Sequence, residues 1–349
     1  MKKILAIILA LSMVFALTAC GSKTEAPQTS TVETGDSTKT AEKAADPVVL
    51  KLAHGLAETL PLHQAFMEFA DAVNEKTDGA VKIDVYANGQ LGAERDLVEG
   101  MQLGTVDFAY IATAVLANFV PDYYLFDTPF LFADTESILS VCDSEIGETL
   151  GKQLRESQGI IQLGFMDVGG RNIFSTVPIE TLDDFNGVKI RVMENDLHIA
   201  LFNMLGAQAT PMAFTELYTA LQQGTVDAGE NALQGITGSS FDDICKYITI
   251  TNHIYGINVF AMGEEALEKI PEEYRDIVME EAWNCVLRER ELVAAANENA
   301  LEEMKANGCT IYTLDHDELV AAISPIYDQF SDTLPTELIE QVHEFLAAK

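Results

Sequence analysis

A chain of 349 residues, 48% of them hydrophobic, is long enough to bury a sizeable core and to form about two domains. Its 55 acidic against 21 basic residues leave a formal charge of −34, which excludes a basic nucleic-acid footprint and adsorption of the protein surface to anionic lipid. An anionic small ligand stays compatible with that charge, because screening over about 8 Å lets a local arginine outweigh distant surface acids.

The N-terminus reads as a targeting segment: Met1-Lys2-Lys3, an apolar run from Ile4 to Leu17, then Thr18-Ala19-Cys20-Gly21. The run is shorter than the roughly 20 residues a spanning helix needs. Leu17-Thr18-Ala19-Cys20 resembles a bacterial lipobox, which implies removal of residues 1–19 and lipidation of Cys20; the alternative is an ordinary signal peptide with a chance cysteine. Residues 20–46 are rich in Ser, Thr, Ala, Glu and Lys, too polar to offset their own ordering entropy, and are expected to form a flexible tether. Cys142, Cys245, Cys285 and Cys309 form no CxxC pair and lack histidines at ligand spacing, so buried thiols are expected.

Val48 to Ala53 predicts a first buried strand ending at His54, followed by a helix from Pro61 to about Thr77 and a strand from Val81 to Tyr86, a β-α-β unit. A helix from Ala93 to Leu103 then stops at Gly104, and a strand beginning at Thr105-Val106-Asp107 ends near Ala112 and Thr113. Sliding the chain by 120 residues lays Ala93, Leu97, Gln102 and Gly104-Thr105-Val106-Asp107 on Ala213, Leu217, Gln222 and Gly224-Thr225-Val226-Asp227. An identical GTVD in the same helix-to-strand slot predicts two related α/β lobes, with a ligand cleft between their strand ends.

Between the two copies, the aromatic run from Val120 to Ala133 is expected to pack in the core beneath the cleft. The second lobe opens with a strand from Ile160 to Phe165, with Gly169-Gly170-Arg171 following at its end. In Val188-Lys189-Ile190-Arg191-Val192 an arginine stands among apolar residues, where its charge is costly unless an anion meets it. Internal pairing with Asp183, Asp184 or Glu194 is the competing reading. Thr225-Val226-Asp227 is expected to be a short strand delivering Glu230 and Asn231 to its C-terminal end, where Asn231 either faces the cleft or caps a helix before Ala232. A further strand is expected over Lys246 to Thr251, with His253 and Tyr255 close by, and Glu272 to Ala306 predicts one long helix ended by Gly308. That helix shows no apolar face suited to a dimer, and a monomer is expected.

Gly170-Arg171, LDDFNGVKIR from Leu182 to Arg191, Leu205-Gly206-Ala207, Thr210-Pro211-Met212, Glu216-Leu217-Tyr218, Ala220-Leu221-Gln222, Val226-Asp227 and Glu230-Asn231 together resemble the signature of the solute-binding subunit of TRAP transporters, the DctP family, from about Lys51 onward. The resemblance implies a two-lobed periplasmic-binding-protein-like α/β fold with a long helix spanning both lobes: 47–167 plus about 256–294 in lobe I, and 168–255 plus about 295–349 in lobe II. It further implies that Arg191 makes a two-pronged salt bridge to a ligand carboxylate and that Arg171 reaches the same group. Asn231 matches the family's polar clamp, although Ala228, Gly229 and Ala232 depart from the usual V-D-G-Q-E-N-P run. His54, Asn195, Phe214 and Thr113 are further candidates, each with a packing or capping alternative; Tyr86, Gln90 and Glu94 lie along the first-lobe rim.

No GxGxxG, P-loop, HExxH or GxSxG occurs, and the six histidines keep no metal-ligand rhythm, so no enzyme, cofactor or metal is expected. The partners the resemblance implies are an organic acid anion and the transporter's membrane subunits, with membrane contact through the lipid anchor alone. Arg-Val-Met-Glu-Asn with His54 and Asn195 resembles the sugar-acid subset of the family; a C4-dicarboxylate, a 2-oxo acid or a role as a sensor subunit are the alternatives.

Overall fold

The computed structural model describes residues 46–349; the expected signal segment, Cys20 and nearly all of the tether lie outside these described residues. The strands are β1 (Val48–Ala53), β2 (Val81–Tyr86), β3 (Phe108–Ala112), β4 (Ile160–Ser175), β5 (Lys189–Val192), β6 (Gln208–Pro211), β7 (Ala228–Ala232), β8 (Tyr247–Ile250), β9 (Tyr255–Gly263) and β10 (Thr310–Thr313). They are ordered β2-β1-β3-β9-β4-β7-β5-β6, with β8 on β4 and β10 on β8.

Each lobe is a small parallel unit. β1 pairs in parallel with β2 and β3, and β5 pairs in parallel with β6 and β7. Parallel strands need covering on both faces, so each unit recruits helices. Pro61–Lys76 carries Pro61 in its first turn and buries Leu62, Ala65, Phe66, Phe69, Ala70 and Val73, a three-to-four-residue rhythm that gives one apolar face. Pro121–Asp127 forms a 3-10 turn that buries Tyr123, Leu125 and Phe126, as expected of the aromatic run.

The lobes are joined by β4 and β9, which pair antiparallel from Ile160 opposite Gly263 to Gly170 opposite Tyr255. Here the structure corrects the sequence reading: the strand from Ile160 does not end at Phe165 but continues to Ser175, so Gly169, Gly170 and Arg171 lie within it. The reason is a pair of register shifts, at Gln162/Gly164 and Asp167/Gly169, with Gly169 at φ +99. Bulges bend a strand without ending it. A second correction concerns Thr225-Val226-Asp227, which precedes the strand, so that Glu230 and Asn231 sit inside β7.

The long helix Glu272–Ala306 packs against the helix Pro61–Lys76, against β4 and against the helix Leu233–Gly238, so it touches both lobes. It also holds the crossover by polar contacts. Glu289 Oε2 accepts the Asp167 N–H at 3.1 Å, Arg290 Nη2 donates to the Phe165 carbonyl at 2.7 Å, and Asn297 Nδ2 donates to the Val168 carbonyl at 3.2 Å. Contrary to the sequence reading, the helix does carry an apolar stripe on its open side: Met279, Trp283 and Leu287 are exposed and follow each other at four-residue spacing. Cys142, Cys245, Cys285 and Cys309 are free and buried.

Candidate functional site

The strand ends of the two lobes enclose a cavity into which Arg191, Arg171, Asn231, Phe214 and Glu94 all project. Arg191 reaches it because β5 alternates: Ile190 and Val192 are wholly buried in the core and Arg191 points the other way. Its Nε donates to the Met212 carbonyl at 2.8 Å, and its guanidinium carbon lies 5.8 Å from the centre of the Phe214 ring. Neither terminal nitrogen has a protein acceptor among the described residues. None of Asp183, Asp184 and Glu194 pairs with it; the Asp184 carboxylate is taken up by Thr181 and the Glu180 N–H. Burial pushes the Arg191 pKa down to about 10, against the attraction of Glu230. The site thus presents a desolvated, still-charged fork suited to a bidentate carboxylate.

Arg171 is equally buried but already paired. Its Nη2 donates to Glu230 Oε1 at 2.8 Å and to the Glu230 carbonyl at 2.9 Å, its Nε donates to Glu230 Oε2 at 2.5 Å, and its Nη1 lies 3.4 Å from Asn231 Oδ1. Burial, the largest single influence, would raise the Glu230 pKa, yet the Arg171 guanidinium and the His253 hydrogen bond together outweigh it and hold the carboxyl below the usual range. His253 completes the group, with Nε2 3.5 Å from Glu230 Oε2 and Nδ1 2.8 Å from the Thr251 hydroxyl. A buried pair of this kind is costly to break, about 3 to 5 kcal/mol when one partner is removed.

Asn231 uses its Oδ1 on the N–H of Ala232 at 2.8 Å, and its Nδ2 has no acceptor among the described residues. The helix Leu233–Gly238 takes Ala232 as its N-cap residue, so Asn231 is not that cap. Glu94 opens the helix Glu94–Gln102, and its Oε2 accepts the Ala112 N–H at 3.3 Å. The surrounding protein pushes its pKa up to about 7, a rise that the Ala112 N–H and the two arginines only partly oppose. The lining residues that were not anticipated include the polar side chains of Tyr110, Gln234 and Asn258. Asn258 carried a signal, being the one amide in the apolar β9 run YGINVFAMG. Gln234 Oε1 is buried with no partner among the described residues.

The remaining candidates lie outside the cavity lining. His54 is wholly buried, its Nε2 3.1 Å from His63 Nδ1. The Thr113 hydroxyl donates to the Ile257 carbonyl at 2.9 Å. Asn195 caps the helix Asp196–Met204 by accepting the Leu197 N–H at 2.9 Å, and its Nδ2 donates to Ala114 of the other lobe at 3.1 Å. Tyr86 and Gln90 are also absent from the lining.

The model for the bacterial extracellular solute-binding protein family 7, DctP, matches residues 52–333. A crystal structure of the sugar acid binding protein DctPAm from Advenella mimigardefordensis, in complex with galactonate, is 31% identical with a TM-score of 0.82, covering 85% of this chain and 96% of that one. A TRAP periplasmic solute-binding protein from Xanthobacter autotrophicus, with bound β-D-galacturonate, is 29% identical with a TM-score of 0.79, covering 84% and 98%. The C4-dicarboxylate-binding periplasmic protein DctP of Rhodobacter capsulatus is 30% identical over 306 residues, which is 85% of this chain and 91% of that protein. With its two-lobed fold, its spanning helix and a paired and an unpaired arginine facing one cleft, the chain belongs to the DctP family of extracytoplasmic solute-binding proteins, the non-enzymatic capture subunits of TRAP transporters.

Proposed function

We propose that this protein captures a sugar acid, such as a hexuronate, and delivers it to the membrane subunits of a TRAP transporter. The observation that carries the reading is the Arg191 fork, which no protein acceptor among the described residues satisfies, in a cavity whose other walls offer hydroxyl partners at Tyr110, Asn231, Gln234 and Asn258. A carboxylate docks on Arg191 above Phe214, while Asn231, steadied by Arg171, meets the same end of the ligand. Groups from both lobes then reach one molecule, which stabilises the closed arrangement. The lobe boundaries are those drawn from the sequence, with the hinge at the β4–β9 crossover, except that the C-terminal helix Thr336–Ala347 packs on the lobe I helices Thr135–Cys142 and Glu145–Gln158. The lipobox resemblance at Leu17 to Cys20 supports tethering through a lipidated Cys20 on the outer face of the cytoplasmic membrane. The galactonate and galacturonate complexes of similar proteins support the ligand class, and the Rhodobacter relative makes a C4-dicarboxylate the second reading.

The test is a thermal-shift screen of the chain without residues 1–46 against hexuronates, aldonates, C4-dicarboxylates and 2-oxo acids, after unfolding and refolding to remove carried-over ligand. A ligand at 100 times its dissociation constant adds about 2.7 kcal/mol of stability. A shift with sugar acids that vanishes in Arg191→Ala is the expected result; no shift with any acid would defeat the proposal.

A further inference from the structure

The charges that face the cavity do not balance in the way a general acid-binding site would need. Arg171 is neutralised by Glu230 on two nitrogens. Arg191 is then the one cation of the lining, among the described residues, without an acid of its own. Against it stand two acids that also line the cavity, Glu94 from lobe I and Glu194 from lobe II. Neither makes a salt bridge with a basic side chain among the described residues. A ligand with one carboxylate satisfies Arg191 and leaves the lobe I side of the cavity to groups that can donate hydrogen bonds. A ligand with two carboxylates satisfies Arg191 with one and must seat the other where the remaining charges are negative.

Glu94 is placed to enforce this. It is the first residue of its helix, and the Ala112 N–H fixes only its Oε2, so the second oxygen has no protein donor among the described residues. Tyr110 and Ala112 of β3 lie beside it in the lining, and Asn258 enters from β9. A carboxylate with a free oxygen is a strong acceptor for a sugar hydroxyl and a poor neighbour for another carboxylate.

We propose that Glu94 is the specificity-determining residue of the cleft: it admits monocarboxylates whose other polar groups are hydroxyls and rejects dicarboxylates. This rests on the reading that Arg191 holds the ligand carboxylate, and it adds to it the basis on which ligands are told apart. Burial pushes the Glu94 pKa up to about 7, so the charge that turns away a second acid is present above that pH and is lost below it, where the protonated carboxyl donates a hydrogen bond instead.

The experiment is titration calorimetry at pH 8 on the refolded protein with D-galacturonate, D-gluconate, succinate and L-malate, for wild type, Glu94→Gln and Glu94→Asp. Gln keeps an oxygen for the Ala112 N–H, removes the charge and puts an amide donor in place of the free oxygen; Asp keeps the charge. The wild type is expected to prefer the monoacids, Glu94→Gln to narrow that preference by about tenfold or more by gaining affinity for the dicarboxylates, and Glu94→Asp to retain it. Thermal melts of the free variants establish that both are folded. If the wild type binds monoacids and Glu94→Gln discriminates as strongly as wild type, the role of Glu94 is overturned while the function stands. If the wild type prefers dicarboxylates, both the role of Glu94 and the sugar-acid reading fail. If it binds no carboxylate, the Arg191 reading fails and the role of Glu94 with it.

Discussion

The two lobes use one device to start the strands that reach the cleft, and they differ in what those strands deliver. The helices Glu94–Gln102 and Phe214–Gln222 stand 120 residues apart, and so do β3 and β7. In each lobe the intervening GTVD turns on a glycine with positive φ, +65 at Gly104 and +67 at Gly224. In each, the aspartate binds the backbone of the neighbouring strand: Asp107 Oδ2 accepts the Lys51 N–H at 2.8 Å and Asp227 Oδ2 accepts the Lys189 N–H at 3.1 Å. On either side of the turn the copies diverge. Tyr110 and Ile111 in lobe I stand where Glu230 and Asn231 stand in lobe II, and Glu94 stands where Phe214 does. The scaffold sets where a side chain emerges; the residue at that place sets the chemistry. Lobe I thereby contributes an acid and a phenol, and lobe II the cationic clamp with its aromatic floor.

The comparison breaks most severely at Glu230, whose lobe I counterpart Tyr110 has no ion pair to maintain. Glu230→Gln leaves Arg171 buried with an uncompensated charge and is expected to lower the unfolding free energy by about 3 to 5 kcal/mol in denaturant melts. A loss below about 1 kcal/mol would mean that the pair is not the keystone of lobe II.

The shared aspartates sharpen it at a smaller scale. Asp107 is buried and also takes Lys269 Nζ at 2.6 Å, whereas Asp227 is more open and has no salt bridge among the described residues. Asp107→Ala should cost about 2 to 3 kcal/mol and Asp227→Ala about 1 kcal/mol, each by stranding a backbone N–H. The reverse order would show that the two turns are not latched alike.

A further effect is one of pH. Glu94 titrates at about 7 and Asp167, raised by burial, at about 6, both above their ordinary values in an unfolded chain. Between the unfolded and folded pKa values the native state holds more protons, so stability is greatest at low pH in this window and falls as pH rises from about 4 to 7. Glu230 shifts the opposite way, and its loss belongs below that window. Glu94→Gln should remove about 2 kcal/mol of the fall, allowing for the partial exposure of the side chain, and leave the Asp167 part. A slope unchanged in the variant would show that Glu94 does not titrate there.

Much of this was legible in the sequence where a local rule decides. The bounds of β1 and β2 and the long helix follow from alternation, turn residues and Pro271. Arg191 announced itself as a charge in an apolar strand, and the two GTVD runs announced the repeat. What was not legible depends on partners distant in the chain. Gly169-Gly170 reads as the end of a strand, yet the bulge it forms is held open by pairing with β9 and by Asn297 of the long helix. His54, Thr113 and Asn195 sit at strand or helix ends, as cleft residues do, but such a position does not say which way a side chain turns; here they meet His63, Ile257 and Ala114. The weight of Glu94 appears only once Arg171 is seen to be neutralised by Glu230, a pairing across 59 residues.

The most direct measurement of the central claim is the affinity of the refolded protein for D-galacturonate by titration calorimetry, in wild type, Arg191→Lys and Arg191→Ala. The account predicts that Ala loses about 2 to 5 kcal/mol, roughly 30- to several-thousand-fold, that Lys recovers only part because it cannot form the two-pronged contact, and that neither variant loses stability in the free state. Equal affinity in all three proteins would contradict it.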